Sequence, residues 1–387
     1  MQEISGCTLH IIMRIALVHD FLTKLGGAEK VLQVLHKIYP DAPVYTLLYD
    51  KEGTRGIFEK DNYKIITSSL QNKPAFIRKR IKLLLTKFPK AIEEFDFSDF
   101  DIVISDSNSF AHGIITNPRT VHICYCYSPT RYLWDWHNEY LEENHIGVGC
   151  VGRLIRDKLS QIRVWDRMAA EGVDFWIAQS QTVADRISKY YRKKSEIINP
   201  PVDLNNFIPS GKKSKDYYLL VSRLSPYKKI YIAIEAFNKL DKCLIIAGEG
   251  SDKNRLEVLA DSSKIEFLGY ISDKKYRELL QNCKAFIFPG EEDFGLTPVE
   301  AMASGRPVIA YGKGGVTETV VDGKTGLFFK QASAKSLISA VKKFEKDISK
   351  FKPEVCRKQA EKFSEEIFIQ KIKNVINTQI SYTNIHK

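Results

Sequence analysis

The sequence contains no uncharged apolar run approaching the roughly 18 residues that a helical membrane span needs, the best candidates being broken by lysine or histidine. A membrane-crossing helix is therefore not expected. The GxxxxGK[ST] phosphate loop is also missing, and the glycines of Gly26-Gly27-Ala28-Glu29 do not form the GxGxxG dinucleotide fingerprint. Cysteine is sparse and unpaired: the seven residues Cys7, Cys124, Cys126, Cys150, Cys243, Cys283 and Cys356 are an odd number scattered along the chain. Only Cys124 and Cys126 are near neighbours, on one face of a strand by alternation, and no second pair completes four ligands. Buried thiols in a reducing cytoplasm are expected rather than a metal site or a disulfide framework. The amino terminus, MQEISGCTLHIIM, carries Glu3 where a secretory signal is basic and offers no small-residue cleavage site. It reads as a short extension before a strand starting near Met13, in a cytosolic protein.

Acidic residues are missing from Lys73 to Lys90, where Lys73, Arg78, Lys79, Arg80, Lys82, Lys87 and Lys90 account for much of a net charge of +11. Phe76, Ile77, Ile81, Leu84, Leu85 and Phe88 interleave at helical spacing. The segment is expected to be a basic amphipathic helix that either lies on an anionic membrane surface or presents a solvated basic face. Nucleic acid is not an expected partner, since no recognition motif accompanies the charge.

What is present is an alternation of apolar strands and helices. A chain of 387 residues exceeds what one hydrophobic core usually serves, so two domains are expected. RIALVHDF from Arg14 reads as a buried parallel strand, and Gly26-Gly27-Ala28-Glu29 opens a helix through Tyr39. Strands are predicted at Val44–Leu48, Tyr63–Thr67, Ile102–Ser105, Val121–Tyr125 and Phe175–Ala178, with helices around Val164–Ala170 and over Ser180–Tyr191. The prolines of Ile198–Asp203 favour an extended crossing. Beyond it the alternation restarts, with strands Tyr217–Val221, Cys243–Ala247, Ile265–Leu268, Ala285–Phe288 and Pro307–Ala310. Helices Lys229–Leu240, Asp252–Leu259, Asp273–Asn282, Pro298–Ala303 and Lys335–Phe344 fall between or after them. Repeated βα units imply parallel, doubly wound α/β sheets.

Ligands of such sheets gather beyond the carboxyl ends of the strands, and the candidate residues follow that rule. Glu292 and Glu300 lie in the loop and helix after Ala285–Phe288. Arg223, Lys228 and Lys229 follow the first strand of the second half, and lysines at a helix start call for an anion between them. Gly248, the Gly269–Ser272 loop with Ile271, and Gly312–Gly315 open on the same edge, each either admitting a ligand or forming a plain turn. Thr297-Pro298-Val299-Glu300 fits a capping box, which competes with a ligand role for Glu300. In the first half, His112 follows the exiting end of a strand and is placed to point into a cleft. The aromatic group Arg131–His137 suits either sugar stacking or helix packing. Asp99 and Asp101 match an Asp-x-Asp metal pattern but lie at the entering end of their strand.

The combination resembles the retaining glycosyltransferases of family 4. Glu292 to Glu300 matches their E-x7-E motif, Arg223 and Lys228 their R-L-x-x-x-K element, and Gly26-Gly27, Asn199–Asp203, Gly314-Gly315 and Gly323–Gly326 complete a likeness over nearly the whole chain. The resemblance implies the GT-B arrangement, two Rossmann-like domains facing a cleft. The expected acceptor-side domain is residues 1–202 with a crossing helix at about 365–387, and the expected nucleotide-sugar domain is residues 203–364. It implies that Arg223 and Lys228 bind the diphosphate, Glu292 the sugar and Glu300 the ribose, while the backbone of Phe294-Gly295-Leu296 cups sugar and phosphate. YCYSPTRYLWD resembles bacterial polysaccharide and O-antigen mannosyltransferases, in which a histidine linked to catalysis stands at the place of Tyr127. With His112 in reserve, Glu292, His112 and Tyr127 are the catalytic candidates. The resemblance further implies mannose transfer from GDP-mannose to a lipid-linked or polysaccharide glycan, without metal or other cofactor, and the basic segment suits an acceptor held on a membrane lipid, in a cytoplasmic protein either free or peripheral on the inner face of the cytoplasmic membrane. A sugar phosphorylase or synthase with a small soluble acceptor, and a non-catalytic nucleotide-sugar-binding protein, are the alternatives.

Overall fold

The structure, a computed structural model, describes residues 13–385; Cys7 and the rest of the amino-terminal extension lie outside the described residues. Tertiary contacts divide the chain into two units. One runs to Ile177 and includes Ser188–Ser195, and the other takes Ala178–Ile187 and everything from Glu196.

The first unit holds all of a seven-stranded sheet except Ala178 and Glu196–Ile197 at its far edge, which group with the second unit. The strands of this sheet are β1 Ile15–Leu22, β2 Val44–Tyr49, β3 Ile65–Thr67, β4 Ile102–Ser107, β5 Val121–Cys126, β6 Phe175–Ala178 and β7 Ser195–Ile197, in the order β3-β2-β1-β4-β5-β6-β7. β1 pairs in parallel with both β2 and β4. Its near-complete burial accounts for the continuous run of branched residues, since a parallel strand is covered on both faces. Helix Gly27–Ile38 turns Val31, Leu32, Val34 and Leu35 inward, with Glu29 in its first turn and Lys37 in its last, each favourable to the helix dipole. The helix predicted around Val164–Ala170 is twenty residues long, Cys150–Ala169.

The basic segment is not one helix. It breaks into short pieces, Ala75–Arg78, Ile81–Leu84 and Phe88–Ile92, with a 3-10 turn, Leu85–Lys87, between the last two. Arg80 leaves helical geometry at φ −104°, ψ 63°, and a continuous helix would stack unrelieved like charges at i, i+3 and i, i+4. The breaks let Leu84 and Phe88 reach the core while Phe76 and Leu83 stay outside. The Asp99–Asp101 pair is taken up by Arg14, whose side chain lies 3.7 Å and 3.8 Å from the two carboxylates and whose backbone N–H donates to Asp101 at 2.9 Å.

The second unit carries a six-stranded, all-parallel sheet of β8 Tyr217–Val221, β9 Cys243–Ala247, β10 Ile265–Gly269, β11 Ala285–Phe288, β12 Val308–Tyr311 and β13 Gly326–Phe329, in the order β10-β9-β8-β11-β12-β13. Strand order reverses between β8 and β11, as it does between β1 and β4 in the first unit. These are the switch points at which doubly wound sheets open a crevice. The extended crossing is tied down within this unit by a parallel bridge between Val202 and Ser364, and the helix Glu365–Ile385 that follows Ser364 groups with the second unit. Of the described cysteines, Cys124, Cys126, Cys283 and Cys356 are buried free thiols, whereas Cys150 and Cys243 are exposed. No helix among the described residues is long and apolar enough to cross a membrane.

Candidate active site

At the switch point of the second unit, the loop after β8 meets the loop after β11. Pro226–Lys228 form one 3-10 turn, Lys229 takes left-handed backbone geometry (φ 52°), and the helix starts at Ile230. This turn aims the Lys228 ammonium at Glu292, with which it forms a direct ion pair. Burial on its own would lower the Lys228 pKa, but the Glu292 carboxylate outweighs it and holds the ammonium above its ordinary value, while the nearby Arg223 charge opposes that rise. Arg223 itself is exposed. A small pocket lined by Val221, Ser222, Lys228, Pro289, Gly290 and Glu292 lies between the two loops.

Glu292 is held by its backbone. It bridges in parallel to Gly314, and its carbonyl accepts from Gly315 N–H at 2.8 Å. A Cβ on Gly314 would lie 2.4 Å from the Glu292 carbonyl oxygen, and one on Gly315 would lie 2.3 Å from that of Asp293. The absent side chains at Gly314-Gly315 therefore admit the Glu292–Asp293 backbone, not a ligand. Gly248 likewise makes room for the Ser222 carbonyl, 1.9 Å from where its Cβ would stand. These glycines weld the loops of one sheet edge together. Asp293, next in the chain, pairs with Arg186.

Glu300 is buried, and its Oε2 accepts from the Tyr276 hydroxyl at 2.6 Å. Burial, then the Glu300 charge, pushes the Tyr276 phenol well above its ordinary pKa. The capping-box expectation fails: the helix is Leu296–Ala303, Gly295 (φ 88°) is its N-cap, and no side chain caps it. Thr297 thus falls inside the first turn and Glu300 a turn further on, too far along to reach the cap amide. Phe294 buries its ring against Phe363, with centroids 5.6 Å apart, and Ile271 and Leu296 pack on the same core. What Phe294-Gly295-Leu296 offer a ligand is backbone at an uncapped helix start, where free amides favour an anion.

The first unit carries its own pair at the β1/β4 switch point. His19 Nδ1 bonds Asp106, its register partner on β4, and His19 Nε2 lies 3.7 Å from Glu29 Oε1. Burial alone would lower the His19 pKa, but Asp106 and then Glu29 raise it to about 10. Tyr127 donates to Ala28 O at 3.0 Å and lies 3.4 Å from Asp106 Oδ2, so it anchors the first turn of the helix that Gly26 and Gly27 open. Asp20 accepts four backbone N–H groups from Asn108 to Ala111 at 2.6–2.9 Å. This draws in the loop before His112, whose ring is not aimed at a cleft. His112 is buried among Trp165, Trp176 and Tyr191. Its Nδ1 lies 3.3 Å from Ser107 Oγ, and its Nε2 lies 3.4 Å from Asp166 O and 3.7 Å from the Asp166 carboxylate. Asp166 also accepts from Thr130, Trp134 and Tyr191 at 2.7–2.9 Å. With Trp134 stacked on Tyr190 and Tyr132 packed on Tyr140, the aromatic group around Arg131–His137 serves packing.

Residues 203–363 match the family model described as Glycosyl transferases group 1. The chain is 30% identical over 215 residues to the alpha-1,3/1,6-mannosyltransferase ALG2 of Dictyostelium discoideum, covering 48% of this chain and 51% of that one. It is 28% identical over 205 residues to the O-antigen chain mannosyltransferase RfbU of Salmonella typhimurium, covering 49% and 57%. The chain thus spans about half the length of the curated relatives it matches. Sucrose-phosphate synthase from Thermosynechococcus elongatus superposes with a TM-score of 0.75 over 95% of this chain and 100% of that one, at 16% identity. The fold is GT-B.

The segment matched by the family model contains Arg223, Lys228, Gly248, Ile271, Glu292, Phe294, Gly295, Leu296 and Glu300, whereas Gly26, Gly27, His112 and Tyr127 belong to the first unit. Lys228 and Glu292 meet directly, with the Arg223 charge felt beside them. Glu300 stands apart with a partner of its own, Tyr276, which sequence reasoning missed together with His19 and Asp106. The available signals were a histidine and an aspartate at the exiting ends of two apolar strands, and a tyrosine within the otherwise charged start of helix Asp273–Asn282.

Proposed function

We propose that this protein is a retaining glycosyltransferase that moves a sugar, mannose from GDP-mannose, onto a glycan acceptor carried on a membrane lipid, without a metal. The observation that carries the reading is the Lys228–Glu292 pair at the β8/β11 switch point beside the Arg223 charge. Mannose as the sugar is supported by the names of the two mannosyltransferase relatives. Lys228, Arg223 and the uncapped amides of the Leu296–Ala303 helix would neutralise the diphosphate, Glu292 would orient the sugar hydroxyls, and Glu300 would accept from the ribose. The anomeric C–O bond to the diphosphate breaks and a new C–O bond to the acceptor oxygen forms on the same face. The acceptor's hydroxyl proton passes to a leaving-phosphate oxygen. Stabilisation of the departing charge and positioning of the two substrates carry the rate. His112, enclosed in its aromatic box, is given no part in the chemistry, and Tyr127 acts on the Ala28 turn.

The test is a panel of GDP- and UDP-sugars screened for protection against thermal unfolding, followed by transfer to a lipid-linked glycan in the presence of EDTA. A ligand at about 100 times its dissociation constant stabilises by about 2.7 kcal/mol, so a bound donor raises the unfolding temperature measurably. The reading expects GDP-mannose to lead the panel, an α-linked product from the α-linked donor, and turnover indifferent to EDTA. Protection by no nucleotide sugar at all would remove it.

A further inference from the structure

Two stretches far apart in sequence bring exposed apolar side chains to one region of the first unit. In the basic segment, Phe76 and Leu83 are each 64% exposed. At the start of helix Cys150–Ala169 and in the turn before it, Val148, Val151 and Leu154 are 76%, 73% and 58% exposed. The stretches are joined where Lys82 Nζ donates to Asn144 Oδ1, and Arg156 secures the turn by donating to Ile146 O at 3.0 Å. The same two stretches carry the exposed cations Lys73, Lys79, Arg80, Lys87 and Arg153, against the exposed acids Glu142 and Glu143 beside Asn144, and from Lys73 to Lys90 the sequence holds no acid.

We infer that these two stretches together form one docking face for an anionic bilayer, with the Val148–Leu154 stretch entering the headgroup region beside Phe76 and Leu83. The inference rests on the proposed membrane-held acceptor and assigns its surface. Charge complementarity selects the occupant. Protein interfaces are depleted in lysine, whereas isolated apolar side chains among lysines suit an interfacial segment, its ammonium groups at the phosphates and its apolar residues below them. The breaks in the basic segment serve this arrangement, because they keep Phe76 and Leu83 outside while Leu84 and Phe88 fill the core.

The test is co-sedimentation of the full chain with phosphatidylcholine vesicles, with and without phosphatidylglycerol, for the wild type and three variants: Phe76→Ser with Leu83→Ser, Val151→Ser with Leu154→Ser, and Lys73→Gln with Lys79→Gln. Binding is expected only where phosphatidylglycerol is present, and each variant is expected to lower partitioning by roughly tenfold. All these side chains are exposed, so the variants should keep the unfolding temperature and the nucleotide-sugar protection of the wild type. That retention separates loss of the face from loss of the donor site. Equal binding to both vesicle types, no binding to either, or full binding by Val151→Ser with Leu154→Ser would overturn the inference. Lipid-independent sedimentation as a self-associated species would do the same.

Discussion

The Tyr276 hydroxyl donates to Glu300 Oε2 at 2.6 Å, joining the helix after β10 to the helix after β11. It presents the carboxylate in one orientation, with a phenol whose raised pKa keeps it a hydrogen-bond donor throughout the neutral range. Replacing Tyr276 by Phe removes this hydrogen bond to a buried carboxylate, a charged bond of a type that contributes about 1.5–3 kcal/mol. The expected outcome is a donor KM raised several-fold or more with kcat little changed, since on the proposed reading Glu300 holds the ribose and not the reacting carbon. A KM equal to that of the wild type would deny Tyr276 this positioning role.

Lys228→Ala and Glu292→Ala should each slow transfer by roughly tenfold or more, ~1.4 kcal/mol of barrier, with the fold intact by circular dichroism. Because the two side chains contact each other, the double variant should fall short of the sum of the singles. Wild-type turnover in both single variants would leave the switch point without a catalytic role.

His19 supplies a pH dependence whose sign follows from its partners. Its folded pKa, about 10, lies above the ordinary 6.5 because Asp106 and Glu29 outweigh the burial that would lower it. The stabilisation it brings is present near pH 6.5 and fades as pH climbs toward 10, while below about pH 6 Asp106, whose pKa burial pushes up to about 6, takes up a proton and the pair weakens. Urea midpoints of wild type and His19→Gln should differ most at the acid end of that window and converge toward its alkaline end. A gap constant across the window would mean that the imidazolium contributes nothing.

Gly315→Ala places a methyl 2.3 Å from the Asp293 carbonyl oxygen and 2.4 Å from Phe294 Cα, both backbone atoms that have no rotamer by which to retreat. Overpacking of this kind typically costs about 1–3 kcal/mol. Both the unfolding temperature and donor affinity should drop, since the displaced backbone carries Glu292. A variant as stable as the parent would show that the two loops are not welded.

Much of the fold was legible because it is written locally. Branched apolar runs marked the parallel strands, and Glu292, Glu300, Arg223 and Lys228 stood in recognisable spacings after them. What stayed hidden depends on pairs distant in sequence: His19 with Asp106, Asp20 with the Asn108–Ala111 amides, Arg14 with Asp99 and Asp101. The capping box at Thr297 was a sound local pattern overridden by Gly295, whose left-handed geometry starts the helix earlier. The glycines of Gly312–Gly315 were seen as sites of close approach, but composition alone does not say whether the approaching atoms belong to a ligand or to another loop. Helical spacing in the basic segment was likewise real, yet charge repulsion and the pull of the core on Leu84 and Phe88 favoured several short turns.

The ion pair between Lys228 and Glu292 bears on how a reaction cycle would end. The two charges satisfy each other, so a simple anion that drew the Lys228 ammonium away would leave Glu292 with nothing in exchange. On the proposed reading, an intact nucleotide sugar compensates both sides, diphosphate for the lysine and hydroxyls for the glutamate. Once the sugar has left, the spent nucleoside diphosphate satisfies only the lysine, and Glu292 is free to reclaim it. The pair would then act as a built-in ejector, favouring the charged donor over its own by-product and keeping turnover from stalling on product.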